Sequence, residues 1–275
     1  MTQISASDVI KLRKTTGAGM MDCKKALQES GGDFEKAIEI IRKKGQAVAN
    51  KRADREASEG VVLAKVSDDK TQGAMIVLNC ETDFVAKNED FVRFADKILN
   101  IALKEKPANL EELKQRNLDG TSIESSVVEQ IGIIGEKIEL AYLDNISAPM
   151  VISYIHPGNK LATLVGFNQG TSVEVAKDIA MQVAAMSPIA IDKDNVSEKI
   201  IEKEKEIGRE QALREGKPEN IVDRIAEGKV AKFLKENTLL NQEFTKDSKK
   251  TVRQYLQETD KNLKVVDFKR YSLSN

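Results

Sequence analysis

Tryptophan is absent, histidine occurs once, as His156, and aromatic residues make up only 4% of the 275-residue chain. Those absences remove the usual ingredients of imidazole-based acid–base chemistry and of base-stacking platforms for single-stranded nucleic acid. The two cysteines, Cys23 and Cys80, lie in separate segments without metal-ligand spacing. Neither a disulfide framework nor a zinc site is expected, and a reducing cytoplasm fits. No run approaches the ~20 consecutive apolar residues of a membrane span, and Met1 to Val9 is polar, unlike a basic-then-apolar leader. A cytoplasmic protein with no membrane partner is the expectation. An excess of one charge is missing too: 43 Lys and Arg face 44 Asp and Glu. That balance gives no broad attraction to a phosphate backbone and sets direct nucleic-acid binding aside. There is no Gly-x-Ser-x-Gly elbow, Walker-type phosphate loop, His-Glu-x-x-His or Cys-x-x-Cys. An enzyme is disfavoured, and no cofactor of its own is expected.

What is present is an ordinary folded composition, 40% hydrophobic and 32% charged, long enough for one large or two to three small domains. The first block reads as three short helices, with Ser7, Asp22 and Asp33 as candidate caps for orphan first-turn N–H groups. In the third, Phe34, Ala37, Ile38 and Ile41 follow helical spacing and form one apolar face. Gly45 offers a stop, and Gln46 to Ser58 has no apolar stripe wide enough to bury, so it reads as a polar linker, helical or not.

A hairpin follows, Glu59 to Val66 and Gly73 to Cys80 around the turn formers Ser67 to Lys70. The next helix carries Phe91, Phe94, Ala95, Ile98, Leu99 and Ala102 on one face, ending before Pro107. Another helix, around Ile123, Val127, Val128 and Ile131, leads to a strand at Glu136 to Leu143, with Ile138, Leu140 and Tyr142 alternating. The order then recurs. Met150 to Ile155 and Leu161 to Phe167 flank His156-Pro157-Gly158-Asn159, and Val175, Ile179, Val183 and Met186 mark a second sheet-covering helix, which suggests two related halves. From Asn195 to about Leu240 charge dominates. Ile200 and Ile207, then Ile221, Val222, Ile225 and Phe233 beyond the Gly216-Lys217-Pro218 break, suggest a short helical hairpin. A helix near Val252 to Leu256 and a strand near Leu263 to Phe268 finish the chain. The organisation expected is α+β: a three-helix unit and linker over 1–55, then core halves at 56–146 and 147–275, the second carrying a helical arm at 195–240.

Three features could carry binding. In Thr16-Gly17-Ala18-Gly19-Met20-Met21, glycines permit a tight turn and the methionines are of the adaptable kind found on protein-binding surfaces, though helix-to-helix packing explains them equally. Lys24 and Lys25 suit an acidic partner or plain solvation. Cys80-Glu81-Thr82-Asp83-Phe84-Val85 lies between strand and helix, where loops on a rigid base carry function. On spacing alone, however, Phe84 reads as a residue filling its own core and Asp83 as a turn former. His156, at a hairpin tip, reads as a surface histidine or a partner contact.

Thr16 to Leu27, as Thr-Gly-Ala-Gly-Met-Met-Asp-Cys-Lys-Lys-Ala-Leu, and Thr82-Asp83-Phe84-Val85-Ala86-Lys87 together resemble the two signatures of bacterial elongation factor Ts. Gly216-Lys217-Pro218-Glu219 and Glu227-Gly228-Lys229 extend the resemblance into the helical hairpin. It implies a ubiquitin-associated-like three-helix N-terminal domain, a two-subdomain α+β core and a protruding coiled-coil hairpin. It implies the partner, the GTPase elongation factor Tu, and a task, promoting GDP release during translation elongation. In that family the Asp-Phe pair enters the partner's GTP-binding domain near its magnesium, which points to Thr82, Asp83, Phe84 and Val85 and reverses the core reading of Phe84. The family's hairpin histidine maps onto His156, and its docking first helices onto Arg13, Met20 and Lys24. Ala162, where the family usually has glycine, and Asn241-Gln242-Glu243-Phe244, which lacks a usual proline, depart from the pattern.

Overall fold

The computed structural model describes residues 4–273; the first residues of the segment Met1 to Val9 and the last of the range 147–275 lie outside it. Helices α1 (Ala6–Thr16), α2 (Met20–Glu29) and α3 (Phe34–Arg52) pack around Leu12, Cys23, Ala26, Leu27 and Ala37, with Phe34, Ile38 and Ile41 against them. Asp33 caps α3, accepting the Lys36 N–H at 3.1 Å. The other two expected caps are displaced. Ser5, not Ser7, starts α1, because its hydroxyl and the Asp8 carboxylate form a reciprocal capping box two residues earlier. Gly19 occupies the start of α2, while Asp22 sits three residues in and pairs with Lys44 of α3.

Gly45 does not stop α3, which runs on to Arg52, so half of the expected linker is helix. The glycine serves a crossing instead. Gly132 of α7 (Ile123–Ile134) lies so close that a Cβ on it would sit 2.5 Å from the Gly45 Cα. Arg42–Glu129, at 3.0 Å, flanks the contact. The three-helix unit is thereby seated on the core.

That core begins with β1 (Glu59–Val66), β2 (Gln72–Cys80), the single turn α4 (Asp83–Ala86), α5 (Glu89–Glu105) and α6 (Leu110–Lys114). The small pair β3 (Asn117–Leu118) and β4 (Thr121–Ser122) precedes α7, and β5 (Ile138–Ser147) closes the first half. The second half has β6 (Met150–Ile155), β7 (Leu161–Phe167), α8 (Val173–Met186), the arm α9 (Glu198–Arg214) and α10 (Glu219–Asn237), β8 (Glu243–Phe244), β9 (Asp247–Thr251), α11 (Val252–Thr259) and β10 (Val265–Ser272).

Two antiparallel sheets, ordered β1-β2-β5 and β6-β7-β10, each place the second hairpin strand in the centre. The sheets stack back to back through Val62, Ala64, Met75, Val77, Val151 and Leu164. Their outer faces bury Leu63, Ile76 and Leu78 under α5 and α7, and Ile152, Val165 and Phe167 under α8. Burial on both faces explains why these strands read as continuous apolar runs. In β5 a bulge opposite Val77 and Leu78 turns the chain over, so Ile138 and Leu140 face the helices while Tyr142 faces the sheet interface. The expected shared face of those three residues is thus split, and the strand runs to Ser147.

Of the residues expected in the arm's seam only Val222 is buried. Ile200, Ile207 and Ile221 are 39%, 37% and 37% exposed, whereas Gly208, Ala212, Val222 and Ala226 are buried. A Cβ on Gly208 would stand 3.1 Å from the Ala226 Cα, so the helices approach too closely for large side chains at the crossing. Met186, expected to cover the sheet, ends α8 at 42% exposure.

The α3–α7 crossing makes an asymmetric prediction. Gly132→Ala should destabilise by about 1–3 kcal/mol, since its methyl meets backbone. Gly45→Ala meets only ordinary 3.6 Å contacts and should be neutral or stabilising by about 0.5–1 kcal/mol. Urea unfolding of both variants checks this, and equal losses would contradict it.

Candidate functional site

Beyond Cys80 the expected loop is a turn of helix. Thr82 holds extended backbone at its N-cap, and its Oγ1 accepts the Val85 N–H at 3.4 Å. The same residue donates twice to Glu136, from its N–H at 3.1 Å and its hydroxyl at 2.7 Å. In the turn that follows, Ala86 is buried and Val85 packs partly into the first core. Successive helical residues differ by about 100°, so with these two facing inward Phe84 faces out. It is 84% exposed, more than any other large apolar side chain among the described residues, while the neighbouring Phe91 is 1% exposed in the core. The core reading of Phe84 is therefore wrong.

Charges stiffen the turn. Asp83 pairs with Lys87 at 2.6 Å; this hydrogen bond, with Lys160 adding at longer range, holds its carboxyl below the ordinary 3.8. Glu81 accepts the Lys137 N–H at 2.6 Å and Arg52 Nη1 on both oxygens, at 3.0 and 2.9 Å. The Lys137 bond first, then Arg52, keeps it below the ordinary 4.5. The Cys80 thiol donates to the Thr82 carbonyl at 3.2 Å, and burial pushes its pKa up to about 12, with Glu136 adding. It is a packing residue, not a nucleophile.

The His156 turn stands beside this one. Asn159 O accepts the Val62 N–H of β1 at 2.7 Å, and Lys160 pairs with Glu59 at the start of β1 at 2.8 Å. Lys160 is close enough to act on Asp83, and Glu59 on Lys87. His156 is exposed, with its Nδ1 3.0 Å from the Tyr154 hydroxyl. Thr82, Asp83, Phe84, Val85 and His156 therefore share one end of the stacked sheets.

Arg13, Met20 and Lys24 form a second patch at the α1–α2 corner, where Gly17 takes a φ of 69° and donates its N–H to the Arg13 carbonyl. Met20 and Met21 are 41% and 63% exposed, and Arg13 and Lys24 are exposed. No hydrogen bond described for these residues joins this corner to the Phe84 turn; α3 connects them.

This arrangement has known relatives. A family model described as Elongation factor TS matches residues 81–275, beginning at the turn that carries Phe84. The chain is 55% identical over 272 residues to Elongation factor Ts of Porphyromonas gingivalis, covering 98% of each chain. It is 53% identical to that of Amoebophilus asiaticus over 270 residues, covering 97% and 98%. It is 50% identical to that of Christiangramia forsetii over 275 residues, covering 99% and 100%.

The chain belongs to the elongation factor Ts family.

Membership gives it a role in translation elongation. The mixed helix and sheet architecture agrees with that family's α+β fold, and no described helix is long and apolar enough to cross a membrane.

Residue reasoning named Glu81 within the candidate loop without a role, and missed Glu136, Arg52 and Lys160. Glu136 is 54 positions from Thr82 and Arg52 is 29 from Glu81, so no local pattern announces either pair. The depressed carboxyls predict an acid limit. Stabilisation from Glu81 and Asp83 is complete above their ordinary values and is lost as pH falls through the lowered folded ones. The Lys137 amide resonance, which reports Glu81, should hold still from pH 7 to 5 and move only below the ordinary carboxyl value of 4.5. Movement centred near pH 6 would contradict the assignment.

Proposed function

We propose that this chain is a guanine-nucleotide exchange factor, binding GDP-loaded elongation factor Tu and promoting GDP release without bond chemistry of its own. The GDP and Mg²⁺ belong to the partner, and the exchange takes place in the cytoplasm. The observation that carries the reading is Phe84, fully presented on a braced turn inside a segment that resembles the family's partner-entering signature. Phe84 acts as an apolar wedge with Asp83 beside it. Magnesium demands near-octahedral oxygen geometry, so a small displacement of a coordinating segment weakens metal and phosphate together.

Magnitudes limit what one side chain can do. Burying a Phe is worth about 1.5–3 kcal/mol, and each tenfold loss of nucleotide affinity needs about 1.4 kcal/mol. Phe84 alone supplies roughly ten- to hundredfold. Any larger effect requires His156 and the Arg13, Met20 and Lys24 corner to favour the nucleotide-free partner too, because only differential binding shifts an equilibrium.

Fluorescent GDP release from elongation factor Tu tests this. The wild-type chain should accelerate release, and Phe84→Ala should lose roughly ten- to hundredfold of that acceleration. Equal acceleration by both would overturn the wedge. No acceleration by the wild type would overturn the exchange function.

A further inference from the structure

The Thr82–Glu136 bonds hold the Phe84 turn to its own core without help from the three-helix unit. Yet the last residue of α3, Arg52, reaches across and ties down Glu81, directly before Thr82. The pair is partly sheltered, with the Glu81 side chain 16% and the Arg52 side chain 35% exposed. A second tie runs alongside, from Lys137 Nζ to the Ala53 carbonyl at 3.0 Å. Arg55 also acts on Glu81 by charge, but makes no hydrogen bond to it among those described.

One helix therefore touches three things. Its first half, through Ala37, Ile38 and Ile41, belongs to the core under the α1–α2 corner. Its middle crosses α7 at Gly45 and Gly132. Its end grips the turn. From Ala37 to Arg52 the rod spans roughly 22 Å at about 1.5 Å per residue. The exit of α7 supplies the other side of the grip, because Glu136 and Lys137 follow directly after its Gly135 cap.

We propose that Arg52 is a positioning residue for nucleotide exchange: through Glu81 it locks the Phe84 turn to α3, so that the α1–α2 corner and Phe84 meet the partner GTPase as one rigid body. This rests on the exchange reading above. Arg52 itself touches neither nucleotide nor metal. Its effect is on the placement of Phe84 once the complex has formed, so its loss should lower the maximal rate of GDP release more than the affinity for the partner.

The test uses the full chain, fluorescent GDP on elongation factor Tu, and stopped-flow release across a range of exchange-factor concentrations. Arg52→Gln and Glu81→Gln should each lower the saturating rate by roughly five- to tenfold, less than the ~100-fold that a 1 Å misplacement can cost. The half-saturating concentration should change by less than about twofold. Arg52→Lys should recover most of the rate. Because the two substitutions remove one tie, the double variant should be no worse than the poorer single one. Glu81→Gln keeps an acceptor for the Lys137 N–H and carries the test if Arg52→Gln is unfolded at the assay temperature. Wild-type saturating rates, losses that add in the double variant, or a loss confined to half-saturation would each overturn the proposal. A wild-type chain that fails to release GDP would instead remove the exchange reading on which it rests.

Discussion

One carboxylate, Glu136, accepts both protons that Thr82 can offer, and the rest of the site depends on it. With N–H and hydroxyl both committed, the backbone enters α4 in a single orientation, and that orientation sends Val85 and Ala86 inward and Phe84 outward. The aromatic that this core does bury is Phe91, on the following helix. Leaving Phe84 in water forgoes about 1.5–3 kcal/mol of burial, a cost the surrounding core must absorb. A partly buried carboxylate with two hydrogen-bond donors is the kind of contact that makes an unfavourable exposure persistent.

The stacked sheets supply the rigid base. Each contributes a hairpin whose tip or exit emerges at the same end, the Phe84 turn from the first and the His156 turn from the second. The Asn159–Val62 bond and the Lys160–Glu59 pair sew the two together. The three-helix unit presents its own patch and is fixed to this base by a glycine-to-glycine crossing and by the end of α3. Three contact regions of the family resemblance thus sit on one connected framework, while the two helices of the arm α9–α10 are joined by a seam of Gly208, Ala212, Val222 and Ala226.

Legibility followed the range of the forces involved. Hairpins, the α5 face and the recurrence of strand, strand and helix could be read because apolar periodicity and turn formers are local, and they match the fold closely. Asp33 could be read as a cap, but Ser7 and Asp22 could not, since nearby alternatives, Ser5 with Asp8 and a salt bridge to Lys44, won in three dimensions. Gly45 looked like punctuation because its partner, Gly132, is far along the chain. Apart from Val222, the arm's seam was misread for a related reason: large apolar residues draw the eye, whereas a close crossing selects glycine and alanine. Phe84 is the sharpest case. Spacing alone assigned it to the core, the signature resemblance pointed outward, and the fold shows why outward is right. The brace that keeps it there, made from Arg52, Glu81 and Glu136, is entirely long-range and left no trace in local pattern.

Calorimetric titration of this chain into elongation factor Tu, once free of nucleotide and once saturated with GDP, tests the differential grip most directly. Coupling between the two ligands is reciprocal, so GDP should weaken binding of the chain by the same factor by which the chain weakens GDP. Equal affinity for the two forms would contradict it.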